Sequence, residues 1–261
     1  MANSKLVECV VYSPNHSGKR THKIDRITPH CVVGQLSANS IGGCFVSKSV
    51  EASCNYGIGS DGKVVLCVDE CNRSWCSSNR ENDQRAVTIE CASDKTHPYA
   101  MYPTVYNKLV ELCVDICKRN NATKLLWLGS KDATLGYEPK SGEIVLSAHR
   151  WFANKSCPGD WLYSRYGQLA KDVTSKLNDS SSPITNDSVE TMYYRVQVGA
   201  YKKYENAVNM RAKLLDDNIN CFITKKDDLF KVQCGAFLIR KNAERFAKKL
   251  NDKGYKTYIA N

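Results

Sequence analysis

Between Tyr194 and Asn261 the chain repeats itself. YRVQVGAYKKYENA begins at Tyr194 and FKVQCGAFLIRKNA at Phe230, an offset of 36 residues. Val196 matches Val232, Gln197 matches Gln233, Gly199 matches Gly235 and Ala207 matches Ala243; further on, Leu214 matches Leu250 and Ile223 matches Ile259. Each copy opens with the alternation of a half-buried strand. It continues with apolar residues at helical spacing, in AVNMRAKLL or AERFAKKL, and closes on CFITK or TYIAN. Doubled strand–helix–strand units predict a ferredoxin-like β-α-β-β-α-β domain over residues 193–261.

Upstream of the repeat, LNDSSSPITNDSVETM (Leu177 to Met192) has linker composition, rich in Ser, Asn, Asp and Thr around Pro183 and without apolar periodicity. This sets a linker at 178–192 and a larger N-terminal domain at 1–177. In that domain RITPHCVV, YGIGSDGKVVLCV, RAVTIECAS, KLLWLGS and EIVLSAH read as strands. PTVYNKLVELCVDICKRN reads as a helix opened by Pro103, with Leu109, Leu112, Cys113 and Ile116 on one face. Asp160 is placed to cap a last helix running to Leu177. The alternation predicts an α/β fold, a mixed sheet flanked by helices.

Thirteen cysteines in 261 residues do not form a disulfide framework on this reading. The count is odd, and many sit in apolar runs such as VVLCV and ELCVDIC, where a reduced thiol behaves as a small hydrophobe. No apolar run reaches the roughly 18 residues of a membrane span, and MANSKLVECVVYSPNHSGKR lacks the apolar core of a leader peptide. The expectation is therefore a chain made in the cytoplasm and not inserted in a membrane. Its charge of +10 is uneven: Met192 to Asn261 holds 15 Lys and Arg against 7 Asp and Glu. A basic tail on a near-neutral body suits an anionic polymer or surface.

The chemistry concentrates in HRWFANKSCPGDWL, which places His149, Lys155 and Cys157 within nine residues. Imidazole and thiolate are zinc ligands, and a lysine beside them suits a developing oxyanion. Of the five histidines, His30 also ends a strand-like run. Two strand ends at one sheet edge would bring His30 and His149 to the same mouth, with Cys157 returning from a short loop. Such a three-ligand set leaves a fourth position for water. His16, His22 and His97 lie in polar or turn-like contexts and read as surface residues. Cys113 and Cys117 have ligand spacing on a helix, but their apolar neighbours favour core packing. Cys67, Cys71 and Cys76 lack the spacing of a zinc knuckle.

His30 in RITPHCV, Glu90 in RAVTIECAS, and His149, Lys155 and Cys157 in the later string together resemble the zinc N-acetylmuramoyl-L-alanine amidases of the peptidoglycan-recognition-protein type, over roughly residues 5–177. The resemblance implies a zinc ion held by His30, His149 and Cys157, with Lys155 as a catalytic lysine and Glu90 as acid/base. Some members use a tyrosine instead, and that role would fall on Tyr56. Two departures stand out: Cys31 replaces a second histidine after the first ligand, and Gly57 replaces a histidine after Tyr56. The doubled V-Q-x-G-x-[FY] strands resemble the SPOR domain, which implies binding to peptidoglycan glycan strands. Tyr194, Tyr201, Phe230 and Phe237 would then either stack on sugars or pack.

The expectation is a peptidoglycan hydrolase that cleaves the bond between N-acetylmuramic acid and L-alanine, contacting stem peptide and glycan strand, with an endolysin-like release to the wall. Two alternatives stay open. One is a peptidoglycan-binding protein without catalysis. The other is a nucleic-acid binder, against which stands the absence of the aromatic string of RNA-recognition modules; nucleic acid is not the expected partner.

Overall fold

The computed structural model describes residues 2–178, 194–217, 219, 221–237 and 240–260. The chain separates into two compact units, Met1–Ile184 and Thr185–Asn261. Apart from Asn178, the linker expected at 178–192 lies outside the described residues.

In chain order, the first unit runs β1 (Val7–Val10), β2 (His16–Lys19), β3 (Arg26–Cys31), α1 (Ala38–Gly43), β4 (Tyr56–Ile58), β5 (Val64–Leu66), β6 (Asn72–Ser74), α2 (Arg80–Arg85) and β7 (Ala86–Cys91). It continues α3 (Pro103–Arg119), β8 (Lys124–Leu126), α4 (Lys131–Leu135), β9 (Glu143–Leu146), α5 (Asp160–Tyr163) and α6 (Tyr166–Asn178). Seven strands form one sheet in the order β1-β5-β4-β7-β3-β9-β8, while β2 and β6 pair separately. All pairings in the large sheet are parallel except the antiparallel β4–β5, which gives the mixed α/β fold expected from the sequence. Strand β3 lies between β7 and β9, and all six of its residues are buried, as a central strand covered on both faces requires.

The apolar core joins Ile27, Val87, Ile89 and Ile58 of the sheet with Leu109, Leu112, Cys113 and Ile116 of α3 and Leu169 and Val173 of α6. Cys113 and Cys117 are both fully buried, so they pack as the apolar neighbours implied. Trp151 stacks on Trp127 at 5.6 Å between ring centroids, and Trp161 meets Tyr106 edge-on; both indoles serve packing.

Three sequence expectations need correction. The run YGIGSDGKVVLCV is two antiparallel strands, β4 and β5, because the turn Gly59–Gly62 reverses the chain. The helix expected from Asp160 to Leu177 breaks into α5 and α6. Asp160 does not cap it: Gly159 occupies the cap position, and the Asp160 carboxylate accepts hydrogen bonds from Arg150 (2.9 Å) and His97 (2.8 Å).

The second unit runs β10 (Tyr194–Tyr201), α7 (Tyr204–Asp216), β11 (Phe222–Lys226), β12 (Leu229–Phe237), α8 (Arg240–Asp252) and β13 (Tyr258–Ala260). Its antiparallel sheet has the order β11-β12-β10-β13, the ferredoxin-like arrangement. Val196, Val198, Val232, Ala207, Leu214, Ala243, Ala247 and Leu250 form its core. The repeated glycine has a physical cause in both copies. A Cβ on Gly199 would meet the Tyr201 hydroxyl at 2.5 Å and its ring at 2.7 Å, and one on Gly235 would meet the Phe237 ring at 2.9 Å. The aromatic two residues later therefore folds over the glycine, and any larger residue there would push its ring aside. All four repeat aromatics, Tyr194, Tyr201, Phe230 and Phe237, pack against the core.

Candidate metal centre

Strands β3 and β9 run parallel, with Ile27 near the start of β3 opposite Leu146 at the end of β9, so His30 and His149 each follow three residues beyond that pair and come to one side of the sheet. The Tyr166 hydroxyl fastens the two strand ends, donating to the Pro29 carbonyl (3.0 Å) and also meeting that of Ser147 (3.3 Å). Beneath them Thr28, Ser147 and Asn82 form a buried network at 2.7–3.1 Å. Strand β9 ends at Leu146, so His149 stands in a short 3-10 turn, His149–Trp151, rather than on the strand itself. From there the chain loops back. The Arg150 amide donates to the Cys157 carbonyl at 3.0 Å, and its guanidinium donates to Ser156 and Asp160. That closure returns Cys157 to the sheet edge.

His30, His149 and Cys157 converge, with one ligating atom of each within 4.8 Å of the others. His30 Nδ1 lies 3.2 Å from Cys157 Sγ, and the two imidazole rings are 5.1 Å apart. Glu90 stands next to His30 in register on β7, and its Oε1 is 3.9 Å from His30 Nδ1. Two buried polar atoms here have no hydrogen-bond partner, His30 Nε2 and Glu90 Oε2. Unsatisfied buried groups are costly and mark a place where something else binds. A groove of about 370 Å³ opens onto His149 and Lys155 and is also lined by Trp75, Cys76, Ser78 and Arg80.

The protonation states follow from burial. It holds the His30 imidazole well below its ordinary pKa, with the neighbouring His149 acting in the same direction. Burial and the Lys155 ammonium lower His149. Both rings are thus neutral at pH 7, the form that ligates a metal. Burial, Cys31 and Glu90 push the Cys157 thiol well up, so an incoming cation must displace its proton. Burial also pushes Glu90 up to about 7, opposed only by a contact with the Cys76 thiol. Two neutral imidazoles and one thiol are a donor set that fits zinc.

Tyr56 is the expected site residue that the structure does not bring here. In the sheet register it faces Ile89, while Gly57 faces Glu90, so its side chain leaves by the opposite face. The buried Tyr56 hydroxyl donates to Glu70 at 2.7 Å and accepts from the Ser4 amide at 2.9 Å.

Two neighbours were not singled out by sequence. Cys76 Sγ lies 3.9 Å from Glu90 Oε1, and His30, Cys76 and Glu90 form a second cluster within 4.8 Å. Ser78 Oγ is 3.1 Å from His149 Nε2. Both sit in a turn held by Asp83, whose carboxylate accepts from the Cys76 and Ser77 amides at 3.1 Å, and by Asn79, which caps α2. The string WCSSN has no ligand spacing; only the tertiary fold places it here.

Residues 20–160 match the family model for N-acetylmuramoyl-L-alanine amidase, and residues 190–261 match the model for the SPOR domain. Among solved structures, the hydrolase AmiA of Staphylococcus aureus, in complex with its ligand, is 14% identical, covering 69% of this chain and 86% of that one at a TM-score of 0.47. The endolysin N-acetylmuramoyl-L-alanine amidase LysCS of Clostridium intestinale is 14% identical, covering 66% and 97% at 0.40. The peptidoglycan-binding domain of the Bacillus subtilis cell wall lytic enzyme CwlC is 29% identical, covering 30% and 96% at 0.25. No curated protein matches the chain. Among the described residues, no helix is long and apolar enough to cross a membrane.

Proposed function

The chain belongs to the N-acetylmuramoyl-L-alanine amidase family and carries a SPOR domain, and on that premise we propose a zinc-dependent hydrolase that cuts the amide between N-acetylmuramic acid and the L-alanine of the stem peptide. The observation that carries this reading is the convergence of His30, from β3, with His149 and Cys157, from the loop after β9, beside a carboxyl oxygen of Glu90 that has no hydrogen-bond partner among the described residues.

His30, His149 and Cys157 would hold the zinc ion. Bound there, it supplies Lewis acidity, polarising the substrate carbonyl and acidifying a water molecule. Glu90 is the proton carrier. Its pKa of about 7 leaves comparable populations of carboxylate and carboxylic acid at neutral pH, so it takes a proton from the attacking water and delivers it to the departing amine. Lys155, exposed at the groove beside His149, offers its ammonium to the oxyanion that develops on the carbonyl. Tyr56 has no part in this scheme, because its hydroxyl is committed to Glu70 on the other face.

The SPOR domain would retain the enzyme on glycan strands, its net positive charge adding a sequence-independent attraction to the anionic wall. An endolysin-like route, with synthesis in the cytoplasm and release to the wall, accords with the absence of a membrane-spanning helix among the described residues.

The test is mass spectrometry of peptidoglycan digested by the purified protein. The expected products are stem peptides with a free L-alanine amine and glycan with intact muramic acid; cleavage at any other bond overturns the assignment. Cys157→Ser is expected to lose most bound zinc and most lysis while still binding walls. Full activity in that variant would remove the metal from the scheme.

A further inference from the structure

Two cysteines of the C-terminal unit face one another. Strands β11 and β12 pair antiparallel, with Phe222 opposite Gln233 and Ile223 opposite Val232. The same register sets the next residue, Cys221, opposite Cys234. Directly opposed residues of an antiparallel pair have Cα atoms about 4.5–5.5 Å apart, inside the roughly 4.4–6.8 Å range that a disulfide spans. Both side chains lie on the helix-covered face, packed with Ile223 against the core of the unit. Cys221 Sγ reaches the Arg211 carbonyl of α7 at 3.8 Å. Cys234 falls where the pairing of β12 with β10 slips by one residue, between Val196–Gly235 and Gln197–Gln233. It is therefore the extra residue of a bulge, without a direct partner on β10, and its direct neighbour across the ladder is Cys221.

We propose that Cys221 and Cys234 form a cross-strand disulfide when the protein meets an oxidising medium, tying the edge strand β11 to β12. The thiols carry the opposite state in a reducing one. In the reaction both S–H bonds break and one S–S bond forms. Two electrons and two protons pass to a small-molecule disulfide, which is reduced to two thiols. Burial raises the pKa of both thiols, Cys234 to about 12, and the mutual hydrogen bond lowers Cys221 while raising Cys234. Exchange therefore begins at Cys221.

The experiment equilibrates the full chain, natively folded, with glutathione disulfide, blocks remaining thiols by alkylation and maps tryptic peptides. Residues 214–225 and 232–240 are the two cysteine-bearing peptides. The expected result is one linked species of these two, lighter by two hydrogens than their sum, absent from Cys221→Ser and from protein oxidised in guanidinium. Amide exchange across residues 222–226 is expected to slow on oxidation in the parent and not in Cys221→Ser. Recovery of both peptides as separately alkylated species, or a link from Cys221 to a different cysteine, overturns the proposal. So does a formed link that leaves exchange in β11 unchanged.

Discussion

Two glutamates of the N-terminal unit, Glu70 fully buried and Glu90 largely so, have opposite fates. Glu70, fully buried, accepts both guanidinium nitrogens of Arg119 at 2.7 and 2.8 Å and the Tyr56 hydroxyl at 2.7 Å. Glu90, on β7, has no guanidinium or ammonium beside it among the described residues: the Cys76 thiol and the neutral His30 ring each lie 3.9 Å from Oε1, and Oε2 has no partner. Arg119 answers the difference in kind. Burial alone would pull its pKa down, but hydrogen bonds and charge from Glu70 outweigh that and raise it. A buried carboxylate with its fork filled is a fastening. A buried carboxyl left without a counter-charge is held near neutrality and can exchange a proton. The lesson is that the missing partner, rather than burial, separates chemistry from architecture.

The contrast is sharpest in activity. Glu90→Gln keeps the shape and removes the proton carrier, so the hydrolysis rate measured on purified walls should fall by about 10²–10⁴-fold with the fold intact by circular dichroism. Near-parent activity would make Glu90 a second fastening. Glu70→Leu should do the reverse. It strands Arg119 and is expected to cost about 3–5 kcal/mol in denaturant unfolding, while protein that remains folded keeps its turnover. A large loss of turnover without loss of stability would erase the distinction.

A third effect depends on pH. In metal-free protein Glu90 titrates near 7, against 4.5 for a free glutamate. Below pH 4.5 both folded and unfolded states hold its proton and no penalty exists. As pH rises through that interval the unfolded chain ionises first, and the folded state loses about 3 kcal/mol by pH 7 and above. Unfolding in chelator across pH 4.5–8 should show this decline in the parent, and Glu90→Gln should be flatter by that amount. The smallest effect belongs to Tyr56→Phe, which removes one hydrogen bond to a charged group and is expected to cost about 2 kcal/mol with lysis unchanged. A loss of lysis beyond the loss of folded protein would return Tyr56 to the site.

How much of this was legible in the sequence varies by element. The doubled βαβ pattern was read to within a residue or two at most strand ends, because a 36-residue repeat states its own boundaries. His30, His149 and Cys157 were legible because their residue types are rare in such company and because the resemblance joined them. Tyr56 was misplaced for a reason inherent to strands: one step of register sends a side chain to the other face, and nothing local distinguishes Tyr56 opposite Ile89 from Tyr56 opposite Glu90. Cys76 lacks ligand spacing in the sequence and Ser78 gives no signal there, because their approach to Glu90 and His149 is made by the Asp83 and Asn79 hydrogen bonds that hold their turn. Asp160 looked like a helix cap, but Arg150 and His97 claim it from outside the helix.

The three converging donors do not share a common footing. His30 belongs to an interior strand of the sheet, buried along its whole length, whereas His149 and Cys157 ride on the surface excursion that ends at Asp160. An ion seated among them would therefore also act as a rivet, clamping that excursion to rigid scaffold, and by mass action its binding energy would add to the resistance of the whole unit to unfolding. Chelation would then register first as proteolytic nicking between residues 147 and 160, well before the sheet itself gave way.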